Sequence, residues 1–210
     1  MEQRAERMPT RVRILDAAYR LMLTIGLARA TTKEIARAAG CSEAALYKHF
    51  SGKEELFVAV LRERLPKVGP LLERLAAAPE AGERTVEQNL TEIARRAALF
   101  YEQSFPIAAS LYADPRLRAR HHEAMRELGT GPHMPLRGLD AYLRSEREAG
   151  RIRADADTYA AASLLLGACA QRAFAYEATE DGAPPQSLDA FAASVAGALV
   201  RGLGGPGRPG

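Results

Sequence analysis

No run of 18 or more consecutive apolar residues occurs in the 210-residue chain, so no segment has the length that a bilayer-spanning helix needs, about 20 residues. Cysteine is scarce. Cys41 and Cys169 lie far apart and form no CxxC pair, which argues against a disulfide framework or a zinc site and points to the cytoplasm. Met1 to Arg13 alternates charges without an apolar stretch and does not read as a secretory signal. β-branched residues never alternate with polar ones over a useful length, so strands are not expected. A glycine-rich phosphate loop, a GxSxG elbow and a metal-ligand set are all missing, and Ser104 or Cys169 would be a nucleophile without an evident base. The expectation is therefore no enzyme, no catalytic residue, no cofactor and no metal. The adjacent His121-His122 pair points about 100° apart on a helix and does not suit one ion, and His133 does not complete a set. The basic stretch Arg116 to Arg126 reads as a solvated helix face.

What is present is the composition of a soluble globular protein, 47% hydrophobic and 26% charged. The net charge of +3 is unevenly spread. Residues 1–64 carry 12 Lys/Arg against 8 Asp/Glu, while residues 65–210 carry 17 against 18. A basic N-terminal third on a near-neutral body suggests a polyanion partner for that third.

The periodicity predicts an all-α chain. Ile14, Leu15, Ala18, Leu21, Met22 and Ile25 recur at helical spacing from Thr10, and Gly26 can cap that helix. Thr31 and Glu34 have capping-box spacing, and Gly40 ends the short helix they open. Ser42 caps the next one, Glu43 to His49, and Lys53 to Leu65 forms a longer amphipathic helix ending at Pro66. The breakers from Pro66 to Gly82 suggest a boundary or hinge. Three or four helices should follow between Thr85 and Gly150, punctuated at Phe105-Pro106, Asp114-Pro115, Gly129 to Pro135 and Gly150. A long Ala-rich helix over Asp155 to Thr179, a loop at Asp181 to Gln186 and a last helix over Ser187 to Leu203 complete the chain. The predicted division is a basic helical domain over 1–65, a second helical domain over 66–203 and a disordered Gly/Pro tail over 204–210.

The segment Thr31 to Phe50, TTKEIARAAGCSEAALYKHF, has helix-turn-helix grammar: two short helices around a tight turn at Gly40-Cys41-Ser42. Ile35, Ala36, Ala39, Cys41, Ala45, Leu46 and Phe50 are small or apolar, which lets the helices pack closely and frees the second to enter a major groove. With the flanking ILDAAYRLMLTIGL and SGKEEL, the stretch from Ile14 to Leu56 resembles the tetracycline-repressor-like (TetR) family of regulators. Beyond this fifth of the chain, the resemblance extends only to helical character and length.

The resemblance implies an N-terminal three-helix helix-turn-helix domain and a C-terminal helical domain for ligand binding and dimerisation. It implies phosphate contacts for Thr32, Tyr47, His49 and Lys53. Lys33, Glu43, Ala44 and Lys48 fall where family members touch bases or nearby backbone, and Ser42 would cap the recognition helix. Lys53 opens a helix, so its ammonium and nearby N–H groups can face a phosphate together. Two positions carry alternatives. Cys41 stands where the family usually has valine and is either a small turn residue or a redox-sensing thiol. Glu43 either favours its helix N-terminus or accepts from a cytosine amino group.

For the C-terminal part, the resemblance implies that the last two long helices build a four-helix bundle with a second copy, through Leu164, Ala168, Leu188, Phe191, Val195 and Leu199. It also implies a cavity for a largely apolar small molecule, with Phe100, Ser104, Phe105, Leu111, Tyr112, Met125, Met134, Tyr142, Cys169 and Phe174 as candidate lining. Arg172, on an otherwise apolar helix, either binds an acidic ligand group or makes an ion pair. The expected function is a homodimeric repressor that leaves a pseudo-palindromic double-stranded DNA operator when an effector binds. An activator or ligand-independent regulator of the same fold, and a helical ligand-binding protein that has lost DNA binding, are the alternatives.

Overall fold

A computed structural model of the chain describes residues 8–64, 69–77, 84–113, 115–127, 129, 131–177 and 184–204. Among these residues all regular structure is helical: α1 (Thr10–Arg29), α2 (Thr32–Ala38), α3 (Glu43–Tyr47), α4 (Lys53–Glu63), α5 (Gly69–Ala77), α6 (Val86–Ala113), α7 (Pro115–Glu127), α8 (Met134–Glu148), α9 (Thr158–Glu177) and α10 (Leu188–Gly204). No described helix is long and apolar enough to cross a membrane.

The chain forms two compact units. The first comprises residues 1–65 and 103–131, and the second residues 66–102 and 132–210. One edge of the first unit lies at residue 65. The span 66–203 is not one unit, because residues 103–131 join the N-terminal unit. α6 is continuous across residues 102 and 103 and so contributes to both.

Sequence pattern explains most helix ends. α1 breaks at Gly26, whose φ of 78° is readily available only to glycine. α4 ends at Glu63, before Pro66. Gly150, at φ 72°, follows the end of α8, and Pro135 sits in that helix's first turn, where its missing N–H costs nothing. Ser187 accepts from the Ala190 N–H and caps α10. Three expectations need correction. The breaker region contains α5, because Pro70 stands at its start, where proline is tolerated. Phe105-Pro106 does not punctuate the chain, since α6 runs through it to Ala113. Gly204 closes α10, while residues 205–210 of the expected tail lie outside the described residues, as do residues 181–183 of the loop 181–186.

In the first unit, Ile14, Leu15, Ala18 and Met22 of α1 pack with Ile35, Leu46, Phe50, Leu56, Phe57 and Val60. Polar ties run over this core: Arg64 donates to Asp16 at 2.6 Å, and Tyr19 donates to Gln103 at 3.0 Å. α7 closes against α4 with the Phe57 and His121 rings 5.1 Å apart and an Arg120–Glu54 ion pair at 3.0 Å. Burial first, and then the neighbouring His122, hold His121 below the usual histidine range.

In the second unit, Leu71 and Leu72 of α5, Leu90, Ile93 and Ala97 of α6, Leu139, Tyr142 and Leu143 of α8, and Leu165 and Cys169 of α9 form the core. Gly138 lets α8 approach α5, since a Cβ there would lie 3.1 Å from Leu72 Cδ1. Two buried polar pairs tie these helices: Asn89 donates to the Tyr142 hydroxyl at 3.1 Å, and Thr158 donates to Asp140 at 2.7 Å. Burial pushes the Tyr142 phenol well above its ordinary range. Tyr142→Phe is expected to destabilise the protein by about 1–3 kcal/mol, because it strands a buried Asn89 donor. Urea unfolding of the two proteins checks this, and equal midpoints would show that Asn89 finds another acceptor.

Candidate nucleic-acid interface

The helix-turn-helix is assembled from local bonds that the residue types dictate. The Thr31 hydroxyl accepts the Glu34 N–H at 3.2 Å, and the Glu34 carboxylate takes the Thr31 N–H at 3.0 Å, completing the capping box of α2. The backbone N–H and then the hydroxyl of Thr31 hold the Glu34 carboxyl below the usual range. Gly40, at φ 64°, turns the chain, and the Cys41 N–H bonds to the Ala36 carbonyl at 3.0 Å. The Ser42 hydroxyl accepts the Ala45 N–H at 3.1 Å and caps α3 as expected.

Burial then sorts the side chains. Ile35, Ala36, Ala39, Leu46 and Phe50 point into the core. Lys33, Ala44, Lys48 and His49 are exposed, and so is half of Tyr47. Thr32, Glu43 and Lys53 are partly buried. α4 opens at Lys53 after an extended Gly52, and no side chain caps its first N–H groups. The nine DNA-contact candidates lie within the first unit: Thr32 and Lys33 on α2, Glu43, Ala44 and Tyr47 on α3, Lys53 at the start of α4, and Ser42, Lys48 and His49 flanking α3, which ends at Tyr47 rather than at His49. Cys41 is partly buried and packs against the core, as a small turn residue does.

One arrangement was not anticipated from the residue pattern. Thr32 donates to Glu43 Oε1 at 2.6 Å, and its oxygen lies 3.3 Å from the Tyr47 hydroxyl. The first positions of α2 and α3 are thus tied by side chains 11 residues apart in sequence. Only the docked helices bring them together, so spacing within either helix carried no signal.

These features agree with the proteins the chain is similar to. Residues 14–60 match the profile of the family described as bacterial regulatory proteins, tetR family. Over these residues the chain is similar to the tetR family. The HTH-type transcriptional regulator SrpR of Pseudomonas putida is 47% identical over 60 residues, covering 29% of this chain and 28% of that protein. The chain spans about a third of the length of the curated relatives it matches at this level of identity. Among solved structures, a TetR-family regulator from Mesorhizobium loti MAFF303099 superposes with a TM-score of 0.67 at 24% identity, over 96% of this chain and 98% of that one. FadR from Bacillus subtilis in complex with stearoyl-CoA superposes with a TM-score of 0.64 at 20% identity, over 91% and 98%. These two likenesses show that the fold is shared well beyond the matched segment.

The candidate ligand residues are less coherent than the DNA face. Ser104, Phe105 and Met125 belong to the first unit, and Met125 packs against its core. Phe100, Met134, Tyr142, Cys169, Arg172 and Phe174 belong to the second unit. Tyr142 and Cys169 are fully buried core residues there, whereas Met134 and Phe174 are exposed. The side chains of Leu111 and Tyr112 lie outside the described residues. Arg172 is buried and pairs with Glu102 of the same unit, donates to the Gln186 carbonyl at 3.3 Å and lies over the Phe191 ring. Its charge is therefore compensated within the chain.

The dimer candidates divide differently. Leu188, Phe191, Val195 and Leu199 lie partly buried against their own core, whereas Leu164 is 67% exposed. Ala160, Leu164, Gly167, Gln171 and Phe174 form one exposed face of α9 at helical spacing. Phe174, read from the sequence as pocket lining, belongs to that face. An open recess of about 380 Å³ lies beside it, between Leu164, Ala198 and Leu199.

The two thiols should behave differently. Burial raises the Cys169 pKa to about 12, so at pH 8 only about one in 10⁴ of these groups is thiolate. Native alkylation followed by peptide mass spectrometry is expected to spare Cys169 until the protein is unfolded. Prompt labelling of Cys169 would show that the interior of the second unit opens readily.

Proposed function

We propose that the chain is a transcriptional regulator that binds double-stranded DNA as a homodimer and leaves it when a small molecule binds. The observation that carries this reading is the helix-turn-helix itself. An apolar underside seats α2 and α3, while Lys33, Ala44, Tyr47, Lys48 and His49 stay on the solvent side. Lys53 and the uncapped start of α4 add a place for a phosphate. A major groove accepts a helix presented in this way, and the cations set the affinity for its phosphates.

The exposed apolar face of α9 supports a homodimer, since two recognition helices on a shared scaffold read two half-sites together. FadR of Bacillus subtilis was solved with stearoyl-CoA, which favours a largely apolar effector for this chain too. The packing of α7 on α4 offers a route from effector to DNA, because α4 carries Lys53 at its start. The effector must bind the DNA-incompatible conformation more tightly, or no population shifts.

The test is binding of the purified protein to a labelled fragment from upstream of its own gene, across a salt series, with random DNA as competitor. Saturable binding that survives the competitor is expected, and binding to no fragment in a genome-wide selection would refute the reading. Lys53→Ala should weaken binding to every sequence alike and reduce the salt slope by about one unit. An effect confined to one operator sequence would contradict its role at a phosphate. Leu164→Glu should produce monomers by light scattering and lower operator affinity, and a persistent dimer would move the interface elsewhere.

A further inference from the structure

Glu43 stands at the start of α3, on the side proposed above to face DNA, where a carboxylate is either a base reader or an obstacle. The hydrogen bonds around it decide between these. Thr32 has a single hydroxyl proton and gives it to Glu43 Oε1 at 2.6 Å. The Thr32 oxygen is then left as an acceptor, so the Tyr47 hydroxyl, 3.3 Å away, donates to it. The chain of donors runs from Tyr47 through Thr32 and ends on the Glu43 carboxylate. Thr32 and Tyr47 are two of the groups assigned to DNA phosphates. In the free protein both of their protons are already committed, and the chain ends at an anion.

We propose that Glu43 is a positioning residue that acts as an internal substitute for a DNA phosphate, holding the Thr32 and Tyr47 hydroxyls in the unbound protein and lowering affinity for all DNA rather than reading a base. This rests on the DNA-binding reading given above. A phosphate that takes either hydroxyl must displace the carboxylate or lie close to it, and like charges at that distance repel. A base-reading carboxylate would have to swing away from Thr32 and give up a charge-assisted hydrogen bond, the stronger kind. The bond also fixes the Thr32 and Tyr47 side chains before DNA arrives, so part of their ordering is complete in advance.

The experiment compares wild type, Glu43→Gln, Thr32→Val and the double variant on operator and random DNA across a salt series, with thermal melts of each. Gln keeps an acceptor for Thr32 and removes the charge. Glu43→Gln is expected to tighten both complexes by the same factor, roughly three- to tenfold, and to steepen the salt dependence by up to about one unit. Thr32→Val should weaken binding more in the Gln background than in wild type, because only there is the hydroxyl readily released to a phosphate. A purely structural role would lower the melting temperature and leave the salt slope unchanged, which would overturn the proposal. Weaker operator binding by Glu43→Gln, with relaxed preference at one base pair, would overturn it in favour of base reading. Additive effects of the two substitutions would also count against it. If wild type binds no DNA at all, the regulator reading itself fails; if wild type binds and Glu43→Gln does not tighten both complexes, only the role of Glu43 fails.

Discussion

The close approach of α2 and α3 is the constraint on which the proposed DNA face depends. It requires small residues where the helices meet and a turn that only a few residues can make. Ala36 and Ala39 supply the first, and Gly40, at its positive φ, supplies the second. With these in place, Ile35, Leu46 and Phe50 reach the α1 side chains Ile14, Leu15 and Met22. The same docking forces Lys33, Tyr47, Lys48 and His49 outward, because the underside is already filled. A bulky residue at Ala36 would separate the helices and misplace every outward group at once.

The two units handle polar groups in opposite ways. On the DNA face, exposed cations and hydroxyls lie near water and are available for exchange. Inside the second unit, three polar pairs join helices: Arg172 with Glu102, Asn89 with Tyr142, and Thr158 with Asp140. Breaking such a buried pair leaves an unsatisfied group in a low-dielectric interior, which is costly. These pairs therefore fix the arrangement of α6, α8 and α9, whereas the Thr32 and Tyr47 hydroxyls near Glu43 lie where water can reach them.

The helix-turn-helix was legible in the sequence because its determinants are local. A capping box acts across three residues, a left-handed glycine acts at one position, and an apolar stripe repeats within one helix. Thr31, Glu34, Gly40 and Ser42 accordingly play the parts their types suggest. α5 was missed because Gly69 and Pro70 read as breakers, although proline is harmless in a first turn. The pocket candidates were the weakest part of the sequence reading. An aromatic or Met at helical spacing looks the same whether it is core, as Tyr142 is, or surface, as Phe174 is.

The sequence by itself determined the helical class, most helix ends and the caps of α2 and α3, since each follows from propensity, capping or period along one segment. Only the tertiary structure decided that residues 103–131 join the N-terminal unit, that Arg172 is neutralised by Glu102, and that Glu43 meets Thr32 and Tyr47. These depend on how separate helices dock, and docking is set by the summed packing of many side chains rather than by any local pattern.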